Sequence, residues 1–383
     1  MSASVRRAAG SLLVVGLGGA DLSGLERAWL RLVRPAGVIF FRRNIVNAEQ
    51  TRALLKEATK LCVPAALRCV DVEGGTVDRL RDALAPMPSA QAVAKKARET
   101  GDSIWSREHG VLIGRGVKAF GFNATLAPVL DLALPVSTTV MGPRAVAADA
   151  DGVVAYASEF LASLRAQNVV GCAKHFPGLG GGALDSHLAT PSIQRNFTEL
   201  WNDDLAPYRA MRRDLPMVMV NHAAYPATPS GRCPATASAF WITTVLRQRI
   251  GYRGLIFSDD MEMGGILKAM SIEEAAVASI RAGMDLLEIC HNPELILRAY
   301  DALISEAERS ATFYRLLLGR AREAQHKRWR LFRAPMAPVL STRQFEALRS
   351  KIQEFREQID EVPRKSDPAT MAKAQDARHA ETA

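Results

Sequence analysis

Val169-Val170-Gly171-Cys172-Ala173, running into Lys174-His175-Phe176-Pro177-Gly178-Leu179-Gly180-Gly181-Gly182-Ala183-Leu184-Asp185-Ser186-His187, is the stretch on which the fold turns. Its first five residues are short and continuously apolar, as expected of a parallel strand covered on both faces. The segment from Lys174 to His187 places a cation, two histidines and a carboxylate among glycines. A strand that ends in Lys-His and opens onto such a loop presents polar chemistry at one sheet edge, where α/β enzymes keep their active sites. A solvated loop whose glycines only make turns would have no use for Asp-x-His.

The same theme repeats outward in both directions. Short apolar runs stand at 12–15, 38–41, 67–70, 126–130, 169–173, 217–220, 255–257 and 286–289. Helical patterns separate them. Asn47 can cap a helix with Ala48, Thr51 and Leu55 on one face, and Ser271-Ile272-Glu273-Glu274 is a capping box. Eight strand–helix units predict an α/β fold, a (β/α)8 TIM-type barrel rather than an open sheet. Polar residues recur after the strands: Asp71 after the third, Asp131 after the fourth, Lys174-His175 after the fifth. Asn221-His222, Ser258-Asp259-Asp260 and Cys290-His291-Asn292 come after the sixth, seventh and eighth. Solubility would scatter charge at both strand ends, so this one-sidedness points to an enzyme. The barrel domain is expected over 1–340 as a single catalytic unit. A C-terminal helical extension over 341–362 carries Phe345, Leu348, Ile352 and Phe355 at helical spacing, and a disordered tail is expected over 363–383.

At 383 residues and 48% hydrophobic content the chain can bury a large core. Its 49 basic residues against 40 acidic ones give a formal charge of +9. The excess gathers near Arg6-Arg7, Arg31, Arg34, Arg42 and Arg43, and in His326-Lys327-Arg328-Trp329-Arg330-Leu331-Phe332-Arg333. Neither cluster sits in a nucleic-acid module, so no nucleic-acid partner is expected, and the second cluster reads as a solvated helix face, with an anionic surface or partner as the alternative. Cys62, Cys69, Cys172, Cys233 and Cys290 lack metal or CxxC spacing and read as small hydrophobes in a reducing compartment. Arg6-Arg7 before an apolar run resembles a weak signal peptide, but the strand repeat favours a first barrel strand there and a cytoplasmic protein. No run reaches the roughly 18 to 20 apolar residues of a membrane-spanning helix.

The candidates for chemistry are carboxylates, histidines and cations. Gly-x-Ser-x-Gly and a P-loop are absent, and Gly16-Leu17-Gly18-Gly19 lacks the acidic residue a dinucleotide site would place after the second strand, where Arg42-Arg43 stand. His175, His187, His222 and His291 form no metal-ligand pair, and Lys174 would repel a cation, so neither metal nor cofactor is expected. Glycoside cleavage fits better, because it needs an oxygen nucleophile and a proton donor for the leaving oxygen. Asp259, emerging from a strand, would be held rigidly enough for attack. His187 on the glycine-rich loop, two positions from Asp185, makes a mobile acid/base. Asp260 is the better candidate for capping the next helix.

At these residues the chain resembles the family 3 glycoside hydrolases, specifically the single-domain bacterial β-N-acetylglucosaminidases of cell-wall recycling. The matching elements run in order over about three quarters of the chain. They are Gly37-Val38-Ile39-Phe40-Phe41-Arg42-Arg43-Asn44, Asp71-Val72-Glu73-Gly74-Gly75-Thr76-Val77-Asp78-Arg79, Ala127-Pro128-Val129-Leu130-Asp131 and Gly142-Pro143-Arg144. The Lys-His-Phe-Pro-Gly loop with Asp-Ser-His and Ile256-Phe257-Ser258-Asp259-Asp260-Met261 complete them. The resemblance implies that Asp259 is the nucleophile, His187 the acid/base and Asp185 its partner. It implies that Asp71, Arg79, Arg144, Lys174 and His175 grip the sugar. It further implies a monomeric enzyme acting with retention on GlcNAc-bearing peptidoglycan fragments such as GlcNAc-1,6-anhydro-MurNAc species, with a carbohydrate as its partner. A related exo-β-glycosidase, a phosphorylase and a non-catalytic sugar-binding barrel are the rival readings. The chain departs from the family pattern at Leu179, where a histidine is usual, in Gly180-Gly181-Gly182, at Ala145-Val146 and at Thr76. These positions bear on aglycone preference and loop closure rather than on reaction type.

Overall fold

Eight short parallel strands close on themselves: β1 Leu13–Val15, β2 Gly37–Phe40, β3 Leu67–Val70, β4 Ala124–Thr125, β5 Val170–Phe176, β6 Met217–Val220, β7 Leu255–Asp260 and β8 Leu286–Ile289. Each pairs with its sequence neighbours, and β8 returns to β1 with Leu13 beside Leu287 and Val15 beside Ile289. This computed structural model describes residues 3–182 and 191–359. It is the expected (β/α)8 barrel.

Local chemistry sets the helices as read from the sequence. Asn47 accepts from the Gln50 amide at 2.9 Å and starts helix Ala48–Thr59, whose Thr51, Leu54, Leu55 and Ala58 face inward. Ser271 and Glu274 form a capping box on helix Ile272–Ala282. Burying these stripes against apolar strands gives one contiguous core.

Five strands differ in their bounds from expectation, β2 only by a one-residue shift. The fourth strand lies earlier, because Pro128 has no N–H for a regular ladder. The residues after it still join β5, through Cys172 N–H to Ala127 O at 2.8 Å and Leu130 N–H to Lys174 O at 2.6 Å. β5 and β7 run longer than expected, so Lys174, His175 and Asp259 stand on the strands themselves. At the N-terminus, Arg6-Arg7 belong to helix Ala3–Gly10 and β1 begins at Leu13.

Helix Ala311–Phe332 crosses the N-terminal ends of the strands and corrects one reading. Lys327 and Arg328 are not a solvated face. Lys327 Nζ lies 2.8 Å from Asp285 Oδ2, and Arg328, 1% exposed, donates to Pro64 O at 3.1 Å. Helix Thr342–Gln358 buries Leu348, Ile352 and Phe355 on helix Ile104–Ala119, with Phe355 stacked on His109 at 6.1 Å. Four of the cysteines are buried and all five are free thiols. Among the described residues no helix is long and apolar enough to cross a membrane. The expected tail lies outside the described residues.

Candidate active site

The strand ends converge on a chain of buried charges. Asp71 comes directly after β3, and Glu73 sits on the short hairpin Val72–Gly74 and Val77–Asp78 that folds back beyond it. Lys174 Nζ reaches from β5 to Asp71 Oδ1 at 2.8 Å and to Glu73 Oε1 at 2.6 Å. Arg144 grips the same Glu73 with two parallel bonds, Nε to Oε2 at 2.8 Å and Nη2 to Oε1 at 2.9 Å. Burial alone would raise the Glu73 carboxyl, but the charges of Arg144 and Lys174 hold it well below the carboxylate range. Lys174 in turn stays above the usual ammonium range, since Asp71 and Glu73 outweigh its own burial. Charges this deep persist only because each is compensated.

A second carboxylate orders the start of the loop. Asp131 accepts from His175 Nδ1 at 2.6 Å, from the His175 amide at 3.1 Å and from the Leu179 amide at 2.7 Å. Tyr225 Oη donates to Gly178 O at 2.7 Å, and Asn221 Nδ2 donates to His175 O at 3.0 Å. Gly178 has φ +130°, and a Cβ there would lie 2.7 Å from Asp204, so a side chain is excluded twice. Asp204 is itself buried against Arg195 at 3.2 Å, and burial pushes its carboxyl up to about 7.

Asp259 stands at the end of β7. Burial would raise its carboxyl, yet His175, His222 and Lys174 together hold it below the ordinary aspartate range, so it is a carboxylate at neutral pH. His222 has Nε2 2.9 Å from Asp260 O and Nδ1 2.7 Å from Thr236 Oγ1. Thr236 gives its own hydroxyl proton to Asn221 O at 2.6 Å, so both ring nitrogens of His222 face acceptors, a pattern suited to the doubly protonated ring. Asp260 turns away and accepts from the Glu262 amide at 3.0 Å, but the next helix, Gly264–Leu267, begins after Met263 without a side-chain cap, so Asp260 closes a turn and does not cap that helix as expected. Burial and the charges of Glu262 and Asp259 push Asp260 up to about 8.

Asp260, Cys290 and His291 bring three donor atoms within 4.8 Å, the arrangement among the described residues that most resembles a metal site. Their surroundings do not suit a cation. Arg43 Nη1 lies 2.9 Å from His291 Nδ1, and bonds to Leu17 O at 2.9 Å and Cys290 O at 2.7 Å pin the guanidinium there. A guanidinium cannot accept, so Nδ1 must, which leaves Nε2 protonated with no lone pair to offer.

Residues 5–313 match the N-terminal domain of glycosyl hydrolase family 3. The chain belongs to glycosyl hydrolase family 3. It is a glycoside hydrolase, and its curated relatives include a β-hexosaminidase of Methylococcus capsulatus, 36% identical over 79% of this chain and 90% of that one. Among solved structures it is similar to a family 3 β-N-acetylglucosaminidase from Paenibacillus, with TM-score 0.81, 29% identity, and coverage of 93% of this chain and 69% of the other. It is also similar to NagZ from Neisseria gonorrhoeae in complex with N-trifluoroacetyl-D-glucosamine, with TM-score 0.74, 29% identity, and coverage of 90% and 98%.

Of the residues singled out in the sequence of this family 3 enzyme, Asp71, Arg144, Lys174, His175 and Asp259 converge at the barrel mouth. Arg79 joins them from the hairpin, its guanidinium 5.6 Å from the Phe41 ring centre. Asp185 and His187 lie outside the described residues. Sequence reasoning gave no role to Glu73, Asp131, His222 or Glu288. The first three carried a signal, being polar residues in or beside strand-end motifs. Glu288 carried a weaker one, a lone acid inside the apolar run Leu286-Leu287-Glu288-Ile289.

Proposed function

We propose that the protein is a retaining exo-β-N-acetylglucosaminidase. It removes terminal non-reducing β-GlcNAc from peptidoglycan fragments, including GlcNAc-1,6-anhydro-MurNAc species, as a cytoplasmic monomer without metal or cofactor. The observation that carries the reading is Asp259, a carboxylate on a rigid strand end held below the ordinary aspartate range by His175, His222 and Lys174. Its oxygen attacks the anomeric carbon while His187, oriented by Asp185, gives a proton to the departing glycosidic oxygen. The resulting glycosyl ester is cleaved when His187 takes a proton from water and the new hydroxide equivalent displaces Asp259. Both displacements invert, so the β configuration is retained.

The remaining residues orient the sugar. Lys174 fixes the direction of the Asp71 carboxylate, Glu73 fixes Arg144, and Asp131 fixes His175, leaving donors and acceptors of set geometry for hydroxyl and N-acetyl groups. The relatives' names and the Neisseria complex with an N-acylated glucosamine support that sugar.

A fluorinated GlcNAc substrate that slows deglycosylation tests this directly. The label is expected on the peptide containing Asp259. A label elsewhere, or turnover without a trapped ester, overturns the assignment. Product analysis with and without phosphate is expected to give GlcNAc in both cases, whereas GlcNAc 1-phosphate would assign a phosphorylase.

A further inference from the structure

The end of the barrel opposite the active site has a charge pattern the reaction does not use. Three hollows of about 460, 880 and 440 Å³ lie along the N-terminal ends of the strands. They adjoin, the first two sharing Arg253 and Lys327 and the last two sharing Arg333 and Ala334. Thirteen arginines and lysines line them against two acids, Asp214 and Glu323. That excess of eleven exceeds the +9 of the entire chain. Every other part of the sequence therefore sums to a slightly negative charge.

The buried members of this set have partners. Arg247 and Lys327 meet Asp285, while Arg320 meets Glu323 at 3.1 Å. The outer members meet no acid: Arg212, Arg213, Arg253, Arg322, Arg330 and Arg333 are exposed and form no ion pair among the described residues, though Arg212 and Arg253 each donate to a backbone carbonyl. Compensation of helix dipoles explains a cation at a helix C-terminus, such as Arg165. It does not explain Arg322 and His326, which stand mid-helix and continue in one stripe with Arg330 and Arg333. The second hollow also has an apolar floor, including Leu161, Val170, Leu215 and Leu331. Trp329, 46% exposed, stands beside Arg34 and Arg333 in the third.

We propose that this face docks on an anionic phospholipid surface. The exposed arginines take lipid phosphates, and the Trp329 indole lies at the headgroup level, where amphipathic rings settle. The basic area spreads across a whole barrel end and exposes one large aromatic ring, Trp329, among the described residues, unlike a groove that tracks a nucleic-acid strand with successive stacking rings. A docked molecule points its active site away from the lipid and leaves it open to soluble substrate. Contact is peripheral and salt-sensitive.

The test is co-sedimentation of the full chain with phosphatidylglycerol-containing vesicles and with pure phosphatidylcholine vesicles, at low and high salt. Binding is expected only to the first, with loss at high salt and a blue shift of Trp329 emission that Trp329→Ser removes. The triple variant Arg212→Gln, Arg213→Gln, Arg330→Gln should bind at least roughly tenfold more weakly. Its hydrolysis of an aryl β-N-acetylglucosaminide should equal wild type, which also reports an intact fold. Equal binding to both vesicle types, or undiminished binding by the triple variant, overturns the proposal. So does tighter retention on duplex DNA than on anionic vesicles at the same salt.

Discussion

At the mouth of the barrel, Glu73 shares itself between Arg144 and Lys174, and Lys174 divides itself between Glu73 and Asp71. At the opposite end Asp285 is equally buried but closed off. It accepts from Arg247 at 2.6 Å, from Lys327 at 2.8 Å and from the Ile256 amide at 2.8 Å, and nothing else among the described residues reaches it. The residue types are the same, but the first network joins side chains from several strand ends and loops, and the second ties one helix to the barrel. Charged groups gathered where several strand ends meet mark a working site, whereas a pair that fastens a single helix marks structure. Removing charges at the two ends should therefore give opposite phenotypes.

The largest effect belongs to the mouth. Asp259→Ala should lower kcat by at least about 10⁴-fold, or about 5.5 kcal/mol of transition-state stabilisation, with little change in melting. At the closed end, Asp285→Asn should leave turnover per folded molecule unchanged and cost about 3–5 kcal/mol of stability, because two buried cations lose their shared partner. Denaturant titration beside active-site counting separates the two outcomes. If Asp285→Asn abolished turnover in a fully folded protein, the contrast between the ends would fail. Lys174→Met lies between them. It should cost about 10²–10³-fold in kcat/KM, raise the acid limb of the pH profile by removing one charge that keeps Asp259 ionised, and destabilise the fold as well.

The barrel and most of its mouth were legible in the sequence because both rest on local signals. Apolar runs of strand length repeat eight times, and polar residues collect after them on one side only. Asp71, Lys174, His175 and Asp259 were found by that rule. The basic end was misread because burial of Lys327 and Arg328 depends on Asp285 and on the carbonyls of Pro64 and Ala65, none of them close in sequence. Glu288 escaped for the same reason, since an acid in an apolar run shows nothing of which carbonyls, thiols and carboxylates surround it. The fourth strand slipped because Pro128 fits an extended segment without being able to donate to its ladder.

Asp204 sharpens the comparison through pH. Its carboxyl is raised to about 7 by burial, so the folded state holds the proton more tightly than the unfolded chain does. The stability it contributes is therefore present at low pH and is lost as pH climbs from about 4 to about 7, by up to about 1.4 kcal/mol per unit. Asp204→Asn removes that slope and should become progressively more stable than wild type across the window, as read by urea midpoints at several pH values. A wild-type midpoint that rises with pH over the same range would contradict the assignment.

The smallest effect is expected at Glu288, inside the barrel between the two ends. Its side chain is 3% exposed, and Oε1 accepts only the weak Cys290 thiol at 3.1 Å while Oε2 has no hydrogen-bond partner among the described residues. Burial first, then the nearby charges of Asp260, Asp71 and Asp259, push this carboxyl well above its ordinary value. A half-satisfied buried acid is a cost without the compensation seen at Glu73 or Asp285. Glu288→Met keeps the length, removes the unpaired oxygen and forfeits one thiol bond, for an expected gain of about 1 kcal/mol with turnover unchanged within about twofold. Glu288→Gln should not share that gain, because the amide keeps a carbonyl acceptor and carries two N–H donors into the same cramped space. If Met destabilised the protein while Gln did not, Glu288 would be a hydrogen-bonding partner of the mouth rather than an uncompensated acid beneath it, and the boundary between the working end and the closed end would move one residue deeper.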